Sequence, residues 1–253
     1  MNSRFPGVAL SIATAMVLGG CLSAPTNAAV KKGADACVIL LHGLARTADS
    51  MNKMQHALES SGYHVANIDY PSRYREIEFL SVLAIENGLN KCREKGDFDT
   101  VHFVTHSLGG ILVRHYLASN DIPNLGRVVM LGPPNQGSHA ADVFRGVPGV
   151  DWMNGPVGGQ LGKGPESIPL RLGKAEFELG IIAGDQSIDP ITSAVLENPD
   201  DGRVTVEETK LEGMQDFRIV GVSHAFIMKD NEVIDLVTNF LEYGSFDAGV
   251  MAE

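Results

Sequence analysis

The 253-residue sequence is short of positive charge: 20 Lys and Arg stand against 31 Asp and Glu, a formal net charge of −11. A surface of that sign repels a phosphate backbone, which argues against nucleic-acid binding, and the acidity reads as a soluble, self-repelling surface. The chain lacks internal repeats, heptad runs and low-complexity tracts, so solenoid, coiled-coil and linker-dominated architectures are set aside. No cluster of His, Cys, Asp and Glu has metal-ligand spacing, and no glycine-rich loop fits a phosphate, so neither a metal nor another cofactor is expected. Cysteines number three and tryptophan one.

The first residues carry Arg4 and an apolar run of small and aliphatic residues, Val8–Leu18. The run is too short for a comfortable membrane span and reads as a secretory signal. It ends in Leu18-Gly19-Gly20-Cys21, which resembles the bacterial lipobox, in which the cysteine is lipidated and becomes the mature N-terminus. Glycine two places before that cysteine is a less usual choice. Cleavage after Ala28, at Thr26-Asn27-Ala28, is the competing reading. Lipidation would tether the chain to a membrane through Cys21, and Leu22 in place of an aspartate favours the outer membrane by the known sorting rule. Without it the expectation is a periplasmic or secreted protein. Export makes disulfides permissible, and with Cys21 set aside Cys37 and Cys92 remain as an even pair. A bridge would join the first core strand to a helix near it; two buried free thiols are the alternative.

From residue 37 onward apolar runs alternate with amphipathic segments. Strands are expected at Cys37–Leu41, His64–Ile68, 101–104, Arg127–Leu131, 180–184 and Phe217–Val222. Helical patterns fall at 49–61, 76–95, after residue 107 and at 230–242. Alternating β and α segments with buried-type strands imply a mostly parallel sheet covered on both faces. Residues 132–174 break the pattern, being rich in Gly and Pro with weak periodicity. A stretch this long inside a domain is usually functional, and it reads as a cap segment over the site, with Trp152 either pinning it or touching substrate. An acidic loop, Glu197–Gly202, leads into alternating Val204-Thr205-Val206. The expected organisation is thus a signal over 1–20, a tether over 21–35, a domain over 36–245 with the cap 132–174 inserted, and a tail over 246–253.

The chemistry centres on Thr105-His106-Ser107-Leu108-Gly109-Gly110, which joins an apolar strand to a helix without an intervening loop. That geometry lifts the Ser107 hydroxyl clear of the sheet and sets it at a helix N-terminus, which favours developing negative charge. Serine is a weak nucleophile unless a base lies within hydrogen-bond reach. His224 follows the last strand and precedes the last helix, where a loop can hold an imidazole over the strand ends, so it is the candidate base. His115 lies within the helix after Ser107 and reads as surface or packing; His139 could line a cleft but no strand positions it. The acid that orients the base needs a neighbouring loop. Asp201 is the candidate, with Asp185, Asp200 and Asp189 as alternatives. Two backbone donors are needed where charge develops: the Leu108 N–H, and the Leu44 N–H in Leu41-His42-Gly43-Leu44, where His42 reads as a hydrogen-bonding turn residue, with a ligand or catalytic role as the alternative.

With these residues in order, the chain resembles the α/β-hydrolase family over residues 36–243. Leu41-His42-Gly43-Leu44, the Ser107 turn, Asp201-Gly202-Arg203-Val204 and Ser223-His224 look like its lipase and esterase branch, similar to bacterial triacylglycerol lipases and lipase-like inositol deacylases. The family pattern around the serine is G-x-S-x-G, and Thr105 stands where its first glycine would be. The resemblance implies hydrolysis of a carboxylic ester through an acyl-enzyme, without a cofactor, on a lipid or small acyl-ester substrate. Ser107, Asp201 and His224 would form the triad, and Leu44 and Leu108 the oxyanion hole. An acyltransferase, thioesterase or amidase would use the same residues. The alternative from another class is an inactive envelope lipoprotein that binds a partner; the loss of a triad member would mark it, and none is missing.

Overall fold

The computed structural model describes Met1 and residues 35–147, 149–197 and 199–247. The expected signal, Cys21, Ala28 and the end of the tail lie outside the described residues, as does the side chain of Trp152. Six strands form one sheet: β1 (Ala36–Leu41), β2 (His64–Ile68), β3 (Thr100–His106), β4 (Leu125–Leu131), β5 (Leu179–Gly184) and β6 (Asp216–Val220). Their order is β2-β1-β3-β4-β5-β6, and every pairing is parallel. The helices packed on the sheet are α1 (Asn52–Ser60), α2 (Ile77–Lys95) and α3 (Leu108–Leu117), and near the end of the chain α8 (Asn231–Tyr243). Between β4 and β5 lie α4 (His139–Val143) and α5 (Val150–Gln160), and between β5 and β6 lie α6 (Pro190–Ser193) and α7 (Val206–Thr209).

The two faces of the sheet carry separate cores, and the strand period of two sorts residues between them. Cys37, Ile39 and Leu41 of β1 pack with α2 and α3 residues such as Leu80, Ala84, Ile111 and Leu112. Ala36, Val38 and Leu40 face the other way, with Met54 and Leu58 of α1 and Val233, Val237 and Phe240 of α8. All six residues of β1 are therefore buried, which is why the strand is one continuous apolar run rather than an alternating one.

Helix α2 lies unusually close to β1. A Cβ on Gly88 would come within 2.6 Å of the Ile39 Cγ2. One turn further along the helix, Cys92 is disulfide-bonded to Cys37, two residues before Ile39 on the same strand face. The i, i+4 spacing of the helix is thus matched to the i, i+2 spacing of the strand, and the missing side chain at Gly88 lets the bond close.

The segment after β4 differs from the weakly periodic stretch expected there, since it contains α4 and α5. Neither is long enough to write a clear period: α4 has five residues, and α5 has eleven interrupted by Gly155 (φ 61°) and Pro156. The kink carries Gly155 over the Arg73 carbonyl, which a Cβ would strike at 1.8 Å. Val204-Thr205-Val206 also departs from the extended reading its alternation suggests. Thr205 caps α7, accepting from the Glu208 N–H, while the Glu208 carboxylate accepts from the Thr205 N–H. The capping-box pattern of Thr205 and Glu208 outweighs a three-residue alternation. The last strand closes at Val220, two residues earlier than the apolar run suggests.

The Cys37–Cys92 bond spans 55 residues, and a loop of that length is worth about 4 kcal/mol on chain-entropy grounds. Reducing it, or the double variant Cys37→Ser with Cys92→Ser, is expected to lower unfolding free energy by up to that amount. Denaturant unfolding with and without reductant measures the loss.

Candidate active site

Strands β1 and β3 are neighbours although β2 lies between them in sequence, so the chain winds outward in both directions from this pair. Ligands of open parallel sheets bind in the crevice outside the carboxyl ends at such a switch point. The register pairs Leu41 with Thr105, one residue short of the end of β3. The two strands therefore end nearly level, and His42-Gly43-Leu44 and His106-Ser107 leave the sheet side by side.

Ser107 has φ 52° and ψ −116° and forms the N-cap of α3. Among the described residues only Ala45 (φ 56°) and Ser107 are non-glycine residues with positive φ, and both line the same pocket. Left-handed backbone at a residue with a side chain is strained and persists only where its surroundings impose it. Here the Ser107 N–H donates to the Leu131 carbonyl at 2.9 Å and the Gly110 N–H donates to the Ser107 carbonyl at 3.0 Å. A Cβ on Gly109 would meet the Leu41 and His42 carbonyl oxygens at 2.8 and 3.2 Å. Gly110 explains how Thr105 is accommodated: its missing Cβ would lie 3.3 Å from the Thr105 Oγ1 and 3.0 Å from the Met130 Sδ. The second glycine leaves the space that a threonine before the turn requires.

On the neighbouring loop His42 is fully buried and stacked on Tyr70, ring centroids 4.1 Å apart. Its Nδ1 donates to the Gly43 carbonyl at 2.8 Å and its Nε2 accepts from the Tyr70 N–H at 3.3 Å. The Tyr70 hydroxyl donates to the His42 carbonyl. Burial lowers the pKa of His42, against the opposing pull of the Gly43 bond and Asp69. Both ring nitrogens being engaged, His42 serves the turn. Gly43 is needed for close approach, since a Cβ there would lie 2.7 Å from the His106 Nδ1 and 3.2 Å from the Ser107 Cβ. The Leu108 N–H opens α3, among the donors that a helix leaves without an intrahelical acceptor.

Across the pocket His224 and Asp201 are joined twice. The His224 Nδ1 donates to the Asp201 Oδ2 at 2.7 Å, and the His224 N–H donates to the Asp201 carbonyl at 2.9 Å. The other carboxylate oxygen accepts from the N–H groups of Arg203 and Val204, both at 2.9 Å. Asp201 is 1% exposed, and these four bonds leave it one orientation. Two glycines at strand ends make room for the pair. A Cβ on Gly132 (φ 53°) would lie 3.1 Å from the Asp201 Oδ2 and 3.2 Å from the His224 Nδ1, and one on Gly184 would lie 3.0 Å from the Asp201 Cβ.

None of the other candidate acids is bonded to His224, although Asp189 lines the same cavity. Asp200 accepts from the Ser193 hydroxyl at 2.7 Å and the Gly202 N–H at 2.8 Å. Asp189 caps α6 and pairs with Arg203 at 3.2 Å, and Asp185 is exposed just past β5. His115 is bonded to the Ser81 hydroxyl at 2.8 Å. His139 is exposed at the start of α4. Sequence reasoning missed Gly132, Gly184 and His106; the Leu131-Gly132-Pro133-Pro134 break directly after a strand was the available signal for the first.

Ser107 and His224 line one cavity of about 470 Å³ together with Leu44, Ala45 and His106. Pro134, Ala140, Ala141, Phe144 and Leu161 supply apolar wall, and Arg46, Asp189, Thr192 and Arg203 polar wall. A larger cavity of about 890 Å³ opens at the amino ends of the strands, beside Ala36, Thr100 and Leu125. It holds His102, whose Nδ1 accepts from the Arg127 N–H and whose pKa burial lowers to about 4, but no serine, threonine or cysteine turn like that at Ser107. Among the described residues no group of three His, Cys, Asp or Glu side chains is placed to hold a metal ion.

The parallel sheet, the helices on both faces and the strand-to-helix turn bearing Ser107 define an α/β-hydrolase fold. Solved structures share it. The mature form of the lipase BlEst2 from Bacillus licheniformis has a TM-score of 0.66 at 20% sequence identity, covering 83% of this chain and 93% of that one. Phospholipase PlaB from Legionella pneumophila gives 0.66 at 17% identity, covering 84% of this chain and 61% of the phospholipase. The metagenomic carboxyl esterase MGS0156 gives 0.60 at 17%, with 84% and 71% covered. At such identities the likeness is one of fold. Neither a protein-family model nor a curated protein matches the sequence.

Gly132→Ala is expected to destabilise the fold by about 1–2 kcal/mol, since an L-residue with a Cβ is strained at that φ, and to press on the Asp201–His224 pair. Denaturant unfolding of the variant against wild type reads the first effect, and the far-downfield proton resonance of the Nδ1–H reads the second.

Proposed function

We propose that this chain is a serine hydrolase of carboxylic esters, with Ser107 as nucleophile, His224 as general base and Asp201 as its orienting acid. The observation that carries the reading is the strained Ser107 turn opening on the same cavity as an imidazole held through Nδ1 by a buried aspartate. Because Nδ1 carries the proton shared with Asp201, Nε2 is left bare to accept one. His224 takes the Ser107 proton as the hydroxyl attacks the ester carbonyl, and Asp201 stabilises the imidazolium that forms. The N–H groups of Leu44 and Leu108 receive the oxyanion. Collapse of the tetrahedral intermediate expels the alcohol, protonated by His224, and leaves the acyl group on Ser107. Water, activated by the same histidine, then releases the acid.

The wall of Ala140, Ala141, Phe144 and Leu161 suits an acyl chain, which favours a lipid or other acyl ester over a polar substrate. The lipase, phospholipase and carboxyl esterase among the structures of the same fold support ester chemistry in this pocket, although the fold alone hosts many reactions. The segment that carries α4 and α5 acts in this reading as a cap. The sequence before residue 35 supports export and a lipid tether at Cys21, with cleavage after Ala28 as the competing outcome; mass spectrometry of the mature N-terminus separates acylated Cys21 from free Ala29.

A fluorophosphonate probe is expected to label the purified protein and not Ser107→Ala. Labelling that survives Ser107→Ala, or an unlabelled wild type, would overturn the reading. With p-nitrophenyl esters as substrates, Asp201→Asn is expected to lower kcat on the order of 10³–10⁴-fold through loss of the correct imidazole tautomer. Asp185→Asn is expected to leave it near wild type.

A further inference from the structure

The mechanism uses neither nitrogen of His106, yet this residue is 1% exposed and packed against the base. Its ring lies 4.7 Å from that of His224, centroid to centroid. Its Nε2 is 3.1 Å from the His224 carbonyl oxygen. A carbonyl can only accept, so Nε2 carries the ring proton and Nδ1 is bare. That Nδ1 is buried without a partner among the described residues and lies where any side chain on Gly43 would strike it.

The contacts around His224 divide into two sets. The bonds to the Asp201 carbonyl and carboxylate fix the base relative to the acid. The bond from His106 is, among the described residues, the one hydrogen bond between the loop of His224 and the segment that bears the nucleophile. His106 is covalently next to Ser107, so this single bond sets the distance from base to nucleophile through one peptide unit. On its other edge the same ring rests on Gly43, beside the Leu44 donor. We infer that His106 is a positioning residue: a buried neutral imidazole that gauges the separation of the nucleophile turn, the His224 loop and the Gly43-Leu44 loop. The inference rests on the hydrolase reading above.

Neutrality is part of the device. His224 becomes an imidazolium during turnover, and a second charge so close would oppose it. Burial, followed by the neighbouring His224 and Arg46, pushes the pKa of His106 well down, so it stays uncharged while the base cycles.

The test compares His106→Phe, which keeps a ring and removes the donor, with His106→Gln, whose amide N–H reaches the position of Nε2. A base displaced by a fraction of an ångström costs on the order of 10–100-fold. The Phe variant is expected to lose that much in kcat and in the rate of fluorophosphonate labelling, with KM for a p-nitrophenyl ester changed far less, and the Gln variant to recover most of it. A Phe variant labelled at the wild-type rate would overturn the inference. So would a Gln variant no better than Phe. Isotope-labelled histidine in the folded wild type provides an arm that needs no variant: the His106 ring must show a protonated Nε2 and a bare Nδ1, and the opposite tautomer would overturn the inference. An unlabelled wild type would instead overturn the hydrolase reading and this inference with it, whereas a labelled wild type with an unaffected Phe variant removes this inference alone.

Discussion

The backbone of Ser107 is held at φ 52° and ψ −116°, a conformation that a residue with a side chain takes only when its neighbours impose it. The constraint comes from three directions. Strand β4 accepts its N–H, α3 closes directly on its carbonyl, and the end of β1 presses so near that Gly109 has no room for a methyl group. The rest of the site depends on this arrangement. Because β1 and β3 end nearly level, the turn and the His42-Gly43-Leu44 loop share one crevice, and the strain at Ser107 and Ala45 marks its two walls. Strain of this kind persists where the surrounding structure over-determines the backbone, and β1, which closes one side of the turn, is buried along its whole length.

Asp201 and His224 stand on the other side of the crevice and are held by a different principle. Asp201 is fixed by saturation: both carboxylate oxygens are occupied, one by two backbone N–H groups and the other by His224. Space for the pair comes from Gly132 and Gly184, at the ends of β4 and β5. The segment between β4 and β5 is tied to α7, which follows the Asp201 loop, through Glu208, a buried carboxylate that accepts from the His139 N–H and pairs with Lys163 at 2.9 Å. Arg114 anchors the segment from beneath, donating to the carbonyls of Asn135, Pro169 and Gly173. The α4–α5 segment, the Asp201 loop with α7, and α3 are thus one hydrogen-bonded assembly around the cavity.

Much of this was legible from local pattern. The continuous apolar run of β1 announced a strand covered on both faces, and the abrupt change from strand to helix at Ser107 announced the turn itself. The Gly/Pro-rich stretch after β4 shows only weak periodicity because α4 is too short, and α5 too broken at Gly155-Pro156, to repeat a pattern. Val204-Thr205-Val206 misled for a related reason: alternation over three residues carries less information than the capping partner three positions later. Asp201 could be ranked above Asp185, Asp189 and Asp200 only by loop position; what separates them in the structure is hydrogen bonding.

By itself the sequence determined the six strands, the longer helices packed on them, their parallel arrangement and the chemical types available at the strand ends, because burial period, glycine placement and the strand-turn-helix at Ser107 are local properties. Only the tertiary structure decided which acid meets His224, why Thr105 is accommodated before the turn, and that His106 rests between two loops. Those outcomes depend on contacts between segments far apart in the chain: the Thr105–Gly110 turn with Met130, Asp201 with His224, His106 with Gly43 and His224. They follow from the register of adjacent strands, which no single segment encodes.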